Sequence, residues 1–97
     1  MVNHELIDPG SIVVIGASNN IQKPGGKLFY NILNGSFKGE LYAVNPKEDQ
    51  IQGRKSYRAV GDLPGVDLAI LAIPAPFCAD VVEELSRDKG TKAFVIV

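Results

Sequence analysis

The residues in this chain best suited to chemistry are groups that hold anions rather than groups that attack bonds. "GASNNIQKPGG", Gly16 to Gly26, follows a Val/Ile-rich run and leads into an amphipathic stretch. Gly16, Gly25 and Gly26 read as positions where a ligand can approach the backbone, and a helix start there favours negative charge. Ser18 adds a hydroxyl and Lys23 a cation. Two further segments have the same character: "NPKED", with Asn45, Pro46 and Lys47, and "PAPF", which follows Ile73 and contains Pro74 and Ala75. No catalytic set and no metal set accompanies them. His4 has no neighbour in sequence that could tune it. Cys78 falls on an apolar helical stripe and reads as a small buried hydrophobe. Glu83 and Glu84 read as a solvated helix face, Glu48 and Asp49 as a solvated turn, and Tyr42 and Tyr57 as packing residues.

The kind of ligand is narrowed by absences. A nucleoside-triphosphate loop needs Gly-Lys-Ser/Thr at the helix start, but Gly26-Lys27 is followed by Leu28. The dinucleotide pattern G-x-G-x-x-G also fails, because Ala17, Ser18 and Asn19 follow Gly16. An NAD site wants Asp or Glu after the second strand to accept from the ribose hydroxyls. This chain has Asn45, Pro46 and Lys47 there, a neutral residue beside a cation. That charge suits a more heavily phosphorylated ligand. NADP fits it, and so does coenzyme A.

Four apolar runs must position these segments: Ser11–Gly16, Glu40–Val44, Asp67–Ile73 and Lys92–Val97. They are near-continuous rather than alternating, as expected of parallel strands covered on both faces. A helix is expected from Pro24 to Asn34, with Leu28, Phe29, Ile32 and Leu33 inward and Asn34-Gly35 as the stop. A second is expected to open at Pro76 and end at Gly90, with Cys78, Val81, Val82 and Leu85 on its apolar stripe. Arg87 and Lys89 then sit at the negative end of its dipole. Between them, Lys55–Tyr57 reads as a short edge strand, followed by one helical turn and a tight turn at Pro64-Gly65. Residues 4–9 read as one preliminary helical turn. The alternation predicts an α/β fold: a Rossmann-like parallel sheet with helices on both faces and right-handed crossovers. In such a sheet all strand C-termini share one edge, so the three polar segments become neighbours there.

Composition excludes several classes. Ninety-seven residues, 45% hydrophobic and 22% charged with net charge −1, make one domain without the charge bias of nucleic-acid or anionic-membrane binders. No run approaches a membrane span, and the N-terminus lacks the pattern of a signal peptide. A single cysteine excludes an internal disulfide, so the cytoplasm is the expected compartment. The chain stops inside an apolar run, which points to a domain spanning 1–97 and truncated at its C-terminal end.

"SIVVIGAS", "LYAVNPK", "VDLAILAIPAPFCADVVEEL" and "KAFVIV" together resemble the CoA-binding domain of NDP-forming acyl-CoA synthetases. These include the ADP-forming acetyl-CoA synthetases and are related to the succinyl-CoA synthetase alpha subunit. The likeness runs from about Asp8 to Val97, and the "PAPFC" loop and "VNPK" turn are its most specific parts. It implies that Gly16, Ala17 and Ser18 line a CoA phosphate pocket. It implies that Asn45, Pro46 and Lys47 flank the nucleotide end, and that Ile73, Pro74 and Ala75 border the pantetheine arm. Lys23 and Gly25 belong to a first loop longer than that of the succinyl enzyme. The resemblance implies an acid–thiol ligase that interconverts acyl-CoA, NDP and phosphate with carboxylate, CoA and NTP. Its partners would be a phosphohistidine domain and an ATP-grasp domain, so the chain by itself is expected to be non-catalytic. Two other classes compete. One is a stand-alone CoA-binding or regulatory module, for example of a protein acetyltransferase; the other is an NADP-binding oxidoreductase domain, disfavoured by the broken fingerprint.

Overall fold

The computed structural model describes residues 10–97; the turn expected at residues 4–9, and His4 within it, lie outside the described residues. In chain order the elements are β1 (Ser11–Ile15), α1 (Pro24–Leu33), β2 (Glu40–Val44), β3 (Gln50–Ile51) and β4 (Arg54–Tyr57). A single 3-10 turn (Val60–Asp62), β5 (Leu68–Leu71), α2 (Ala75–Asp88) and β6 (Ala93–Ile96) follow. The six strands form one sheet in the order β3-β4-β2-β1-β5-β6. All neighbours are parallel except β3 and β4.

β1 shows why the apolar runs are continuous. Successive side chains of a strand point to opposite faces, and both faces here are covered. Val13 and Ile15 pack in a cluster with Cys78 and Leu85 of α2, joined by Val81 and Val82. Val14 packs on the other side with Phe29 of α1, and Ile12 faces Leu28 and Ile32. Phe29 and Leu85 are fully buried. Enclosing a side chain of this size contributes roughly 1.5–3 kcal/mol each.

Both helices begin with proline in the first turn, where its missing N–H leaves no bond unmade. α2 starts at Ala75, one residue before Pro76. α1 stops where expected: the Asn34 side chain and backbone N–H both donate to the Tyr30 carbonyl. Lys89 does more than face a dipole, because its Nζ donates to the carbonyls of Gly61 (2.9 Å) and Leu63 (2.6 Å). It thereby ties the end of α2 to the 3-10 turn. Arg87 meets Glu83 one helical turn earlier at 3.5 Å, and Asp88 beside it.

The edge-strand expectation is corrected. β4 is not the sheet edge: β3 pairs with it antiparallel through a two-residue turn at Gln52-Gly53, with Ile51 opposite Arg54. Both turn residues have positive φ, 50° and 83°, the signature of a hairpin turn whose twist matches its strands. The fully buried Ile51 joins the α1-side core. β6 packs Ala93 against Leu68 and Ile70 on one face and Phe94 against the α2-side cluster on the other. Asp49 lies in a solvated turn as expected and accepts from Arg58 at 2.8 Å. Both side chains are largely exposed, which makes this a weak contact.

Candidate functional site

The sheet changes direction around β1: the chain moves outward through β2 and β4, then returns to place β5 on the other side of β1. The loops leaving β1 and β5 therefore diverge at this switch point, where open parallel sheets hold ligands beyond their strand C-termini. Hydrogen bonds at the strand ends bring the three polar loops side by side, and one joins the first two directly. The N–H of Gly16 donates to the Val44 carbonyl at 3.0 Å, and that of Ala72 donates to Ile15 at 2.8 Å. Asn45 donates through Nδ2 to the Ala17 carbonyl at 2.9 Å. The predicted meeting of these loops is thus built from specific contacts.

Gly16 is glycine for two reasons. Its φ is +89°, and a Cβ there would collide with the Ala72 carbonyl oxygen. Ser18 to Lys23 then form a chain of small polar turns. The Asn20 N–H donates to Ser18 Oγ, the Gln22 N–H to Asn20 Oδ1, and the Lys23 N–H to the Asn20 carbonyl. α1 starts with neither a side-chain cap nor an acid in its first turn, and α2 starts in the same way. Two helix N-termini without a side-chain cap therefore lie at this edge, an arrangement that favours phosphate; in α2, Pro76 has no N–H and Phe77 donates to the Pro74 carbonyl at 3.0 Å. Lys23 and Lys47 are exposed at the start of α1 and after β2, and Lys47 donates its backbone N–H to Asn45 Oδ1 at 2.8 Å. Pro46, Pro74 and Ala75 are exposed, and Ile73 is half-buried.

Three residues that the sequence places at the site have structural duties. Ala17 is completely buried, and its carbonyl is taken by Asn45; it lies beneath the loop rather than lining it. Gly25 and Gly26 are also buried. A Cβ on Gly25 would collide with the Gly16 carbonyl oxygen, and one on Gly26 with that of Asn20. Their missing side chains accommodate the protein's own backbone. Asn19 within this loop and Gln52 across from it do not stand out in the sequence, yet together they bond the loop to the β3–β4 hairpin. Only the Gln-Gly pair hinted at the turn that brings Gln52 there.

The residues with ordinary packing roles behave as read. Cys78 is buried, with Sγ 3.8 Å from the carbonyls of Ile73 and Pro74. Tyr42 and Tyr57 meet edge to face at 6.0 Å. Burial raises the Tyr42 phenol above its usual pKa, with Glu40 and Tyr57 adding to the effect, so it stays neutral. Among the described residues no group of three or more His, Cys, Asp or Glu could hold a metal ion. No described helix is long and apolar enough to cross a membrane. A surface cavity of about 390 Å³ lies along α1, lined by Gln22, Pro24, Lys27, Leu28, Asn31 and Val97. It contains none of the Ser18, Asn45, Lys47 or Pro74 chemistry, so volume and polar geometry do not coincide; the loops carry the stronger argument because they supply groups that recognise charge.

Comparison with known proteins agrees with this geometry. The family model described as CoA binding domain matches residues 10–97. A trans-feruloyl-CoA synthase from an unidentified prokaryote is 45% identical over 92 residues, covering 94% of this chain and 13% of that protein. Acetate–CoA ligase (ADP-forming) II of Archaeoglobus fulgidus is 42% identical over 94 residues, covering 96% of this chain and 14% of the ligase. Among solved structures, the dinucleotide-forming acetyl-coenzyme A synthetase 1 of Ca. Korarchaeum cryptofilum, in complex with phosphate and ADP, superposes with a TM-score of 0.84 at 35% identity. That match covers 92% of this chain and 19% of the synthetase chain. The chain thus spans a small fraction of these relatives. With the matched model extending over nearly its whole length and the Rossmann-like sheet in place, this chain belongs to the CoA-binding domain family.

Proposed function

We propose that this chain is the CoA-holding part of an NDP-forming acyl-CoA synthetase, acting in the cytoplasm beside a phosphohistidine domain and an ATP-grasp domain. The observation that carries the ligand assignment is the edge shared by two uncapped helix N-termini, two exposed lysines and Asn45 in place of an acid. CoA carries a diphosphate and a separate ribose phosphate, which match that charge; an NAD ribose needs the acceptor this edge lacks. In this reading Gly16, Ser18 and Lys23 meet the diphosphate, with Gly25 and Ala17 supporting the loop from behind. Asn45, Pro46 and Lys47 flank the nucleotide, and Ile73, Pro74 and Ala75 guide the pantetheine arm. The contribution to catalysis is positional: the thiol is presented where an acyl phosphate arrives from another domain, and such placement can remove several kcal/mol of barrier. The kinship with the feruloyl-CoA and acetate–CoA enzymes supports this role.

Isothermal titration calorimetry tests the ligand. CoA is expected to bind more tightly than NADH or NADPH, and equal or higher affinity for NADH would overturn the assignment. A charge test follows from the exposed Lys47. Lys47→Ala is expected to weaken CoA binding by roughly 1–3 kcal/mol, the usual value of a charge-assisted hydrogen bond. Dephospho-CoA should show a smaller loss, because the ribose phosphate is the expected partner. Identical affinities in wild type and variant would place Lys47 in solvent.

A further inference from the structure

We infer that Gln52, at the tip of the β3–β4 hairpin, is a positioning residue that holds the Gly16–Gly26 loop in its binding conformation before CoA arrives. The inference rests on the proposed placement of CoA at that loop. Gln52 Nε2 donates to two carbonyls at once, Ser18 at 3.0 Å and Gly26 at 2.9 Å. It therefore joins the middle of the loop to the first turn of α1. The Gln52 backbone N–H donates to Asn19 Oδ1 at 2.6 Å, while Asn19 Nδ2 donates to the Gln50 carbonyl at 3.0 Å. Four hydrogen bonds thus fasten the loop to a hairpin 26 to 34 residues further along the chain. The loop has few apolar anchors of its own beyond Ala17: Ser18 is half-buried, and residues 19–24 are exposed.

The chemistry of position 52 indicates what this arrangement serves. Its φ of 50° lies in the left-handed region, where a side chain with a Cβ is strained and Asn is better tolerated than Gln. A two-residue turn of this type prefers Asn-Gly, so a sequence chosen for the hairpin alone would carry Asn here. Gln52 also leaves its Oε1 buried without a hydrogen-bond partner among the described residues. Both features oppose folding. What Gln offers over Asn is one methylene of reach, and that reach lets Nε2 contact Ser18 and Gly26 together. Strain retained for reach toward a neighbouring loop fits a preorganising role better than a stabilising one.

Stability and binding are expected to respond differently to substitution at position 52. Gln52→Asn keeps a turn-compatible residue but shortens the reach, and Gln52→Gly removes the strain and both side-chain hydrogen bonds while keeping the two made through Asn19. Both variants are expected to keep the wild-type melting temperature or exceed it. In ligand-free protein, amide exchange across residues 17–22 should accelerate while that of β1 and β5 stays unchanged. If the loop is then competent about a tenth of the time, the CoA dissociation constant rises on the order of tenfold, since apparent affinity scales with the competent fraction. Unchanged exchange at residues 17–22 would show that the clasp does not order the loop, overturning the inference. A lower melting temperature in both variants would make Gln52 a fold residue and overturn it too. Faster exchange with an unchanged CoA dissociation constant would equally reject the positioning role. Failure of the CoA assignment itself would appear separately, as wild-type protein that prefers NADH.

Discussion

Valine in place of Gly25 is expected to remove CoA binding and to lower stability by about 3 kcal/mol or more, beyond the usual range for overpacking. The reason is the identity of the obstructing atoms. A Cβ at position 25 would collide with the Gly16 carbonyl oxygen, with the Gly16 carbonyl carbon at 2.9 Å and Ala72 Cβ at 3.3 Å. A flexible side chain could turn away; this backbone cannot. Gly16 is held by its N–H bond to Val44 and by a left-handed φ. Relief must come from moving the start of α1, which displaces the very N–H groups proposed to face phosphate. Even Gly25→Ala should be destabilising, although Gly to Ala within an exposed helix ordinarily gains up to about 1 kcal/mol. The sign of that change is therefore a test in itself. Gly61→Ala is the control, because the nearest atom to a new Cβ is Glu84 Oε2 at 3.7 Å, and an effect within about 0.5 kcal/mol is expected there. Thermal melting reads the difference: each kcal/mol moves the midpoint by roughly 4–8 °C in a domain of this size. Gly25→Ala with an unchanged midpoint would mean that the helix start shifts freely.

The same glycines show how far a sequence can be read. Their presence after a Val/Ile run correctly marked a strand–loop–helix, because glycine and proline punctuate local structure and the 2.0 and 3.6 periodicities are local as well. β2 was legible from Glu40 to Val44 and α1 to within one residue of its end, Leu33 against Asn34. What glycine is for was not legible. Gly25 meets Gly16 and Gly16 meets Ala72, and those neighbours are set by the sheet order. The β3–β4 hairpin escaped for a related reason. Two residues are too short to show alternation, and Gln52-Gly53 lacks the Asn that makes such a turn conspicuous. With the hairpin went Ile51 from the core and Gln52 from the loop.

Asn45 carries the remaining large expectation, because one atom's identity there distinguishes two ligand classes. Its side chain is used at both ends: Nδ2 donates to Ala17, and Oδ1 accepts from the Lys47 N–H. Asn45→Asp preserves shape and the second bond but replaces the donor with a carboxylate oxygen facing the Ala17 carbonyl. Ala17 is fully buried, so no bulk water can take over that bond. Leaving a buried acceptor unmatched costs about 1–3 kcal/mol, and more where a charge is involved. The new charge also faces the phosphates proposed to bind between the first two loops. CoA affinity is therefore expected to fall about 100-fold, equivalent to roughly 2.7 kcal/mol. More acidic buffer should reduce the defect, because a protonated carboxyl can again donate to Ala17. In a dinucleotide site the same substitution would supply the missing ribose acceptor and strengthen NADH binding. A variant that loses CoA without gaining NADH supports an amide that braces two loops of a CoA site. Rising NADH affinity would overturn the CoA assignment for this edge.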